Sequence, residues 1–354
     1  MRVLAVVLLC ASTVVAQHWQ KQESHTDASL RGVKAVSDKV CWASGTGGTV
    51  LRTTDGGQHW QVIHVTGAEK LDFRDIEAPN NDANTAVVMS AGPAEQGQAK
   101  IFKTTDGGAH WKETFSTDRK GVFLDSIAFW DSKHGIGLSD PVDGRFVLIE
   151  TEDGGASWRF VMPRFMPDAL PGEGAFAASG TAIVYDRAAP VFITGGSSSA
   201  RIFYQQGASW YAEAIPWPMS APSAGLFGQS YRPDMHGGGA DGIAVGGDYS
   251  QPRSRGHYVF IKKFEHGWKA VEADVPYLSG VSELSVGANA IAVGTAGCVE
   301  IVFGRSSVSV RDAQCTVPLN AISGPRGRGR VWAVGPKGAI LRGKVSTYNS
   351  GKLE

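Results

Sequence analysis

The sequence predicts an all-β protein: a single seven-bladed β-propeller with four antiparallel strands in each blade. Composition is the first indication, because 45 of the 354 residues are glycine, 10 are tryptophan and only 19% are charged. Such a chain favours many short strands joined by tight turns. The second indication is an eight-residue motif that occurs three times. The third is a large apolar residue that recurs seven times along the chain.

The repeated motif has the pattern T-x-D-G-G-x-x-W and occupies residues 53–60, 104–111 and 151–158. Its period of about 50 residues is typical of propellers or solenoids. We expect each copy to form the turn between the third and fourth strands of a blade. There an aspartate accepts backbone N–H bonds and glycine supplies positive φ, while the tryptophan packs between sheets. A structural role is therefore predicted for the aspartates and tryptophans of the motif: Asp55, Asp106, Asp153, Trp60, Trp111 and Trp158.

The recurring apolar residues give the number of blades. They stand 38 to 54 residues apart, and each is expected near the start of an inner strand: Leu30, Phe73, Leu124, Phe176, Phe227, Val281 and Leu319. The seventh unit lacks a His-Trp segment of its own, whereas one occurs early in the chain at His18-Trp19. The N-terminal strand is therefore predicted to complete the last blade, which closes the ring and removes exposed sheet edges.

The N-terminus has the pattern of an export signal. Arg2 precedes a short apolar run, and small residues stand before Gln17, so residues 1–16 are interpreted as a signal peptide and 17–354 as the propeller. No other segment reaches the 18 apolar residues of a membrane span. The mature chain is expected to be secreted or periplasmic and not membrane-spanning. Balanced charge, with 34 basic and 34 acidic residues, argues against nucleic-acid binding.

Cysteine spacing indicates one candidate disulfide. Cys298 opens a predicted strand, and Cys315 follows the next strand. A hairpin between these strands brings the two thiols near each other, which suits an oxidising compartment. The alternative is a pair of separate buried thiols. Cys41 is interpreted as a buried free thiol.

The motif carries a family resemblance. It resembles the Asp-box, or BNR repeat, found in both enzymes and non-enzymes, so it specifies fold more than function. The longer repeated unit, G-x-x-G-x-[VI]-L-R-T-x-D-G-G-x-x-W, resembles the photosystem II assembly-factor propellers and their non-photosynthetic bacterial relatives. This resemblance implies a non-catalytic scaffold or stability factor that binds a protein partner.

Candidate binding residues are expected on the top face, the one that carries the loops entering each inner strand. Inner-strand starts and long loops give seven of them: Arg31, Arg74, Asp125, Arg145, Phe165, Tyr249 and Glu283. Arginine and aromatic side chains are favoured at interfaces, and loops on a rigid scaffold commonly carry function. We expect a protein partner, with a glycan as a second possibility, and a monomeric chain.

The alternative is a glycoside hydrolase or a carbohydrate-binding propeller. It needs two carboxylates that face one cleft, and the candidates are Asp125, Asp140, Asp143 and Asp248. The competing interpretation is that several of these only stabilise turns beside proline and glycine. No H-E-x-x-H, G-x-S-x-G or dinucleotide pattern occurs, so no metal and no cofactor are expected.

Overall fold

The computed structural model describes residues 19–163, 165–215, 221–233, 240–256, 258–263, 267–283, 289–303, 308–325 and 330–344. The predicted signal peptide, residues 1–16, lies outside the described residues. Within the described ranges no helix is long and apolar enough to span a membrane.

Seven antiparallel sheets of four strands form the protein, as predicted. Blade 1 contains β2 (Leu30–Ala35), β3 (Cys41–Gly45), β4 (Thr49–Thr53) and β5 (Gln61–His64). Blade 2 contains β6 (Asp72–Glu77), β7 (Ala86–Ala91), β8 (Lys100–Thr104) and β9 (Lys112–Ser116). Blade 3 contains β10 (Leu124–Phe129), β11 (Gly135–Val142), β12 (Arg145–Thr151) and β13 (Arg159–Val161). Blade 4 contains β14 (Ile183–Asp186), β15 (Ala189–Ile193), β16 (Ala200–Gln206) and β17 (Ser209–Ile215).

The remaining blades follow the same order. Blade 5 contains β18 (Ala224–Pro233), β19 (Ala240–Asp248), β20 (Tyr258–Lys263) and β21 (Gly267–Glu272). Blade 6 contains β22 (Gly280–Glu283), β23 (Asn289–Gly294), β24 (Gly297–Phe303) and β25 (Val308–Asp312). Blade 7 contains β26 (Ala321–Ser323), β27 (Arg330–Val334), β28 (Ile340–Lys344) and the N-terminal strand β1 (Trp19–Gln22). Two short 3-10 turns, Pro79–Asn81 and Ala94–Gln96, complete the secondary structure described.

Strand β1 closes the ring. It pairs antiparallel with β28, from Trp19 opposite Gly343 to Gln22 opposite Ile340. The indole of Trp19 donates a hydrogen bond to the Ala313 carbonyl at 2.9 Å, which ties it to the end of blade 6. The prediction that the N-terminal strand completes the last blade is confirmed.

Buried clusters between adjacent blades form the core. The motif tryptophans occupy this space: Trp60 packs with Trp332 of blade 7, and Trp111 meets the edge of Trp42 of blade 1 with ring centroids 6.3 Å apart. Each tryptophan thus joins its own blade to the preceding one. Edge-to-face pairs of this kind add to the stabilisation that comes from burying apolar area.

The D-G-G turns are held by hydrogen bonds within each motif. In the first copy, Asp55 Oδ1 accepts from the backbone amides of Gln58 and His59, and Thr53 Oγ1 accepts from the Gly57 amide at 2.8 Å. Gly57 has φ +82°, a conformation that favours glycine. The bond from the His59 amide is the main reason why the pKa of Asp55 falls to about 2. In all three copies the aspartate is bonded inside its own turn.

The cysteines pair within blade 6. Cys298 of β24 and Cys315, beyond the end of β25, form a disulfide with their Cα atoms 5.7 Å apart. Cys41 is a buried free thiol in β3, and burial raises the pKa of its thiol.

The buried threonine of the motif provides a test of this turn. Thr104 Oγ1 accepts from the Gly108 amide at 3.0 Å and donates to Asp106 at 2.9 Å. Thr104→Val leaves that buried amide without an acceptor, so we expect the free energy of unfolding to fall by about 1–3 kcal/mol. Urea denaturation measures the change. Thr114→Val in the adjacent β9 is the matched control, because the Thr114 hydroxyl makes only a long, partly exposed bond of 3.5 Å. Equal losses in the two variants would contradict the assignment.

Candidate functional site

A bulge near the start of the inner strands places one residue of each blade at the mouth of the central channel. In blades 1, 2, 3 and 5 the pairing register shifts at this point, and the bulged residues are Arg31, Arg74, Asp125 and Phe227. Equivalent backbone bonds place Phe176, Ser279 and Asn320 at the same position in blades 4, 6 and 7. A bulge of this kind redirects a side chain, and here all seven side chains line one pocket.

Three of the seven apolar residues that were predicted at equivalent positions of the inner strands do not occupy them. The residues equivalent to Leu30 in blades 5 and 6 are Leu226 and Leu278, because they make the matching interblade backbone bonds. In blade 4 the equivalent residue is Ala175, because the bond from the Gly195 amide to the Gly174 carbonyl matches the bond from the Thr46 amide to the Ser29 carbonyl in blade 1. Phe176 and Phe227 were expected at these positions but lie one residue further on. A shift of one residue reverses the face to which a side chain points, so these two rings belong to the channel mouth. Val281 lies three residues beyond its expected position.

The pocket at the channel mouth has a volume of about 420 Å³. It lies in the lower part of the range of small-molecule sites, about 300–1,000 Å³. Its lining comes from all seven blades and consists of Arg31, Arg74, Phe123, Asp125, Asp140, Ala175, Phe176, Ala177, Ala178, Phe227, Tyr249, Tyr277, Ser279, Thr295 and Asn320. Four of the predicted binding residues, Arg31, Arg74, Asp125 and Tyr249, therefore come together in space.

An insertion in blade 4 forms the floor of the pocket. Gly174 pairs with Gly195, and Ile183 pairs with Phe192. Between these two pairs the inner-strand side has eight residues, 175–182, whereas the neighbouring strand has only two, 193 and 194. We call residues 177–181 of this insertion the channel loop. It crosses the channel, since Ser179 packs on Gly280 of blade 6, and Thr181 packs on Gly228 of blade 5. A Cβ at either glycine would meet these side chains at 3.0–3.1 Å, so glycine provides the space.

Three charged residues contact the channel loop and the residues before it. Arg74 donates from Nη1 to the Ala177 carbonyl at 3.2 Å and from Nε to Asp72 at 2.7 Å. Asp140 Oδ1 accepts from the Ala175 amide at 2.9 Å. The Asp125 carboxylate lies beside the Ala177 amide, which acts to lower its pKa, but its Oδ2 atom is buried without a hydrogen-bond partner. Arg74 and Asp140 thus satisfy backbone groups that the insertion removes from the sheet.

The fourth charged residue, Arg31, has no such attachment. Among the described residues it forms no salt bridge, and its Nε is buried without a hydrogen-bond partner. Burial, and next the neighbouring charge of Arg74, lower the pKa of its guanidinium, while the nearby Asp72 carboxylate acts in the opposite direction and offsets them only in part. A partly buried cation beside another cation favours the approach of an anion.

The acids of the pocket are perturbed in the opposite direction. Asp125 is 1% exposed, and burial, followed by the nearby Asp140 carboxylate, raises its pKa well above the ordinary value. Burial raises the pKa of Asp140 to about 6. Below this layer, burial and Glu77 raise the pKa of Asp75 to about 7. Its carboxylate accepts from Ser126 Oγ and from the Ile127 amide of blade 3.

Aromatic rings form the opposite wall. Phe176 stacks on Phe227 with centroids 4.1 Å apart. Tyr249 and Tyr277 meet the Phe227 ring edge-on at 6.0 and 4.9 Å. Tyr249 is 52% exposed and stands at the rim. The pocket therefore has a cationic side on blades 1 and 2, an acidic side on blade 3 and an apolar side on blades 4 and 5.

The other predicted binding residues lie elsewhere. Arg145 is exposed at the β11–β12 turn, where it pairs with Asp168 at 3.1 Å. Phe165 bridges to Ser209 at the start of β17, which is the end of the blade that carries the D-G-G turns, and not the top face as expected. Glu283 is the last residue of β22. It was expected at the channel mouth, but Ser279 has that position because the inner strand of blade 6 begins earlier than the apolar pattern indicated.

Of the four candidate catalytic acids, two reach the pocket. Asp125 and Asp140 line it. Asp143 has φ +53° in the two-residue turn between Val142 and Arg145. Asp248 Oδ1 accepts from the amide and hydroxyl of Ser250, so it stabilises a turn. No group of three or more metal-ligating side chains occurs within the described part of the chain.

Several pocket residues were not identified from the sequence. Phe176 and Phe227 were noted only as core positions, and Tyr277, Ser279 and Asn320 were not noted at all. Aligning the seven blades on the inner-strand bulge would have identified most of them, because each blade contributes the residue at that one position. In blade 4 the insertion at 177–181 interrupts the repeat just after this position, so the alignment is difficult to recognise.

Fold and site together define a closed seven-bladed propeller with a floored, mixed-charge pocket at its channel mouth. No family model matches the chain. The chain is 27% identical over 151 residues to the photosystem II assembly lipoprotein Ycf48 of Picosynechococcus sp.. That match covers 31% of this chain and 44% of the relative, less than half of its length.

Solved structures share the whole fold. The structure of Ycf48 bound to D1 peptide has a TM-score of 0.65 at 12% identity and covers 95% of this chain and 100% of that one. Ycf48 from Cyanidioschyzon merolae has a TM-score of 0.60 at 14% identity and covers 92% and 98%. The resemblance to photosystem II assembly-factor propellers that the repeats indicated is confirmed. At these identities the structural likeness defines the fold alone.

The raised pKa of Asp140 predicts a pH dependence of stability. Its folded-state pKa of about 6 exceeds the unfolded value of about 4, so the native state binds this proton more tightly. The contribution of Asp140 to the free energy of unfolding is therefore greatest below pH 4, and it is lost as the pH rises through 6. Asp140→Asn keeps an acceptor for the Ala175 amide and removes the titration.

We expect the free energy of unfolding of Asp140→Asn, measured relative to that of wild type, to be about 2–3 kcal/mol higher at pH 7 than at pH 4. Urea unfolding at both pH values measures this difference. Asp143→Asn, in the exposed turn on the same face, should leave the pH dependence of wild type unchanged. A constant difference between Asp140→Asn and wild type across this range would contradict the assignment.

Proposed function

We propose that the protein is a non-catalytic scaffold, an assembly or stability factor that binds a protein partner across the mouth of its channel. The observation that carries the proposal is the convergence of Arg31, Arg74 and the exposed Tyr249 at one rim. Arginine and tyrosine are the side chains most enriched among residues that dominate binding energy. Similarity to Ycf48, one structure of which is bound to D1 peptide, supports a peptide segment of the partner as the bound element.

A rigid ring suits this role. Each blade is fixed by its two neighbours, and β1 removes the free edge that an open ring would expose. The rim therefore offers a preorganised surface, which lowers the entropic cost of binding. We propose a monomeric chain located outside the cytoplasm, and the disulfide between Cys298 and Cys315 supports an oxidising compartment.

The hydrolase alternative is not favoured. The two acids that reach the pocket are not equivalent to an exposed catalytic pair, because Asp125 is only 1% exposed. Asp143 and Asp248 are used in turns. Glycan binding at the aromatic rim remains a proposal that an array of glycans would test directly.

A matched pair of double variants tests the partner-binding role. Arg31→Gln/Tyr249→Ser alters the rim without breaking a salt bridge among the described residues. Arg159→Gln/Tyr211→Ser makes the same substitutions on the outer strands β13 and β17. There Tyr211 is about as exposed as Tyr249, and Arg159 is more exposed than Arg31 and pairs with Glu152. Each chain is used as bait in envelope extract of the source cell, and captured proteins are quantified by mass spectrometry.

We expect one partner to be captured by wild type and by the outer-strand variant, and reduced at least about tenfold by the rim variant, since two central contact residues are lost. Equal capture by both variants would show that the channel mouth is not the binding surface. Circular dichroism and melting temperature confirm that all three proteins are folded.

A further inference from the structure

The pocket beneath the rim has a chemistry of its own that a flat protein interface does not require. It is closed below by the channel loop, so it is a blind cavity and not a tunnel. Its 420 Å³ are surrounded by one side chain from every blade. A closed cavity with a few convergent polar groups and an apolar wall is the ordinary form of a small-molecule site.

Part of the charge in the pocket is explained by the floor. Arg74 and the Oδ1 atom of Asp140 are bonded to the backbone of Ala177 and Ala175. These contacts are structural. They leave three features without an explanation: the partly buried Arg31, which forms no salt bridge among the described residues, the Oδ2 atom of Asp125, which is buried without a hydrogen-bond partner, and the volume of the pocket itself.

An anion bound in the pocket would stabilise the Arg31 guanidinium. This guanidinium is partly buried, lies beside Arg74 and has a lowered pKa, so an entering carboxylate would gain a charge-assisted hydrogen bond and offset the burial of the cation. A hydrogen-bond donor or a cation would likewise stabilise the Asp140 carboxylate. Its bond to Ala175 uses Oδ1, and Oδ2 is available to accept on the neighbouring blade.

The third requirement is apolar. Phe176, Phe227 and Tyr277 form a continuous aromatic surface on blades 4 to 6, and such a surface stabilises an apolar group by burying its area. The polar residues of blades 6 and 7 are already satisfied by each other, since Ser279 Oγ donates to the Asn320 carbonyl and Asn320 donates to the Leu30 carbonyl. They add no further charge requirement.

We infer that the pocket binds a free, apolar α-amino acid. Its carboxylate contacts Arg31, its ammonium contacts Asp140, and its side chain packs on the aromatic wall. A zwitterion matches a pocket that is lined by both the Arg31 guanidinium and the Asp140 carboxylate, whereas an internal peptide segment supplies neither charge. This small-molecule site goes beyond the partner-binding role, for which the rim suffices.

Isothermal titration calorimetry of the full mature chain tests the inference. The probes are L-phenylalanine, L-leucine and L-methionine, and for the amino acid that binds best two blocked analogues: the amide, which lacks the carboxylate, and the N-acetyl derivative, which lacks the ammonium. We expect one molecule to bind per chain and each analogue to bind at least about tenfold more weakly, as for loss of one charge-assisted bond.

Variants locate the site. Arg31→Gln and Asp140→Asn should each weaken binding at least about tenfold, and Asp143→Asn, in an exposed turn outside the pocket, should leave it unchanged. Asp140→Asn retains the acceptor for Ala175, and its melting temperature reports whether the floor is intact. Partner capture by Asp140→Asn should equal that of wild type, so failure of this inference and failure of the scaffold role are separate results.

Three outcomes overturn the inference. One is the absence of binding by all three amino acids at millimolar concentration. Another is equal binding of the N-acetyl analogue, which would make the pocket a carboxylate site open to peptide C-termini. The last is binding that is unaffected by both Arg31→Gln and Asp140→Asn, which would place the ligand elsewhere on the chain.

Discussion

The structure depends on one geometric constraint: seven inner strands meet around a common axis. Each blade can bury both of its faces only against its neighbours, so the apolar clusters lie between blades and the ring must close. The same constraint brings one residue of each inner strand to the channel mouth. Sequence positions as distant as Arg31 and Asn320 become lining residues of one pocket, and the site exists because the ring is complete.

The chemistry of the site depends on a local departure from the repeat. The inner-strand bulge turns a side chain towards the channel in every blade, and blade 4 adds five residues at that point. These residues fill the channel, and the positions below the bulge are small to receive them, as at Gly228 and Gly280. The backbone of the insertion then needs polar partners, which Arg74 supplies at Ala177 and Asp140 supplies at Ala175. Arg31 differs from these because the loop does not reach it.

The sequence predicts much of the fold and part of the site. Repeats with a physical cause, such as Thr53-x-Asp55-Gly56-Gly57, identify the turn, the blade and the role of the tryptophan. The match of Trp19 to Trp60 is sufficient to predict ring closure. Arg31, Arg74 and Asp125 were found because they follow an apolar residue of the repeat, whereas Glu283 was misplaced because blade 6 has a weaker pattern. The channel loop was not predictable, since its residues are small and their role depends on contacts with blades 2, 5 and 6.

Closure by β1 also has a consequence for how the chain folds. Trp19 pairs with Gly343, so nearly the whole polypeptide lies between two residues that must meet. Bringing such distant segments together costs loop-closure entropy before any contact offsets it. Blades 1 to 6 each form from local hairpins, and blade 7 is assembled from both ends of the chain. The last blade therefore forms only when the chain has been made as far as β28, because β1 has no partner strand before that point.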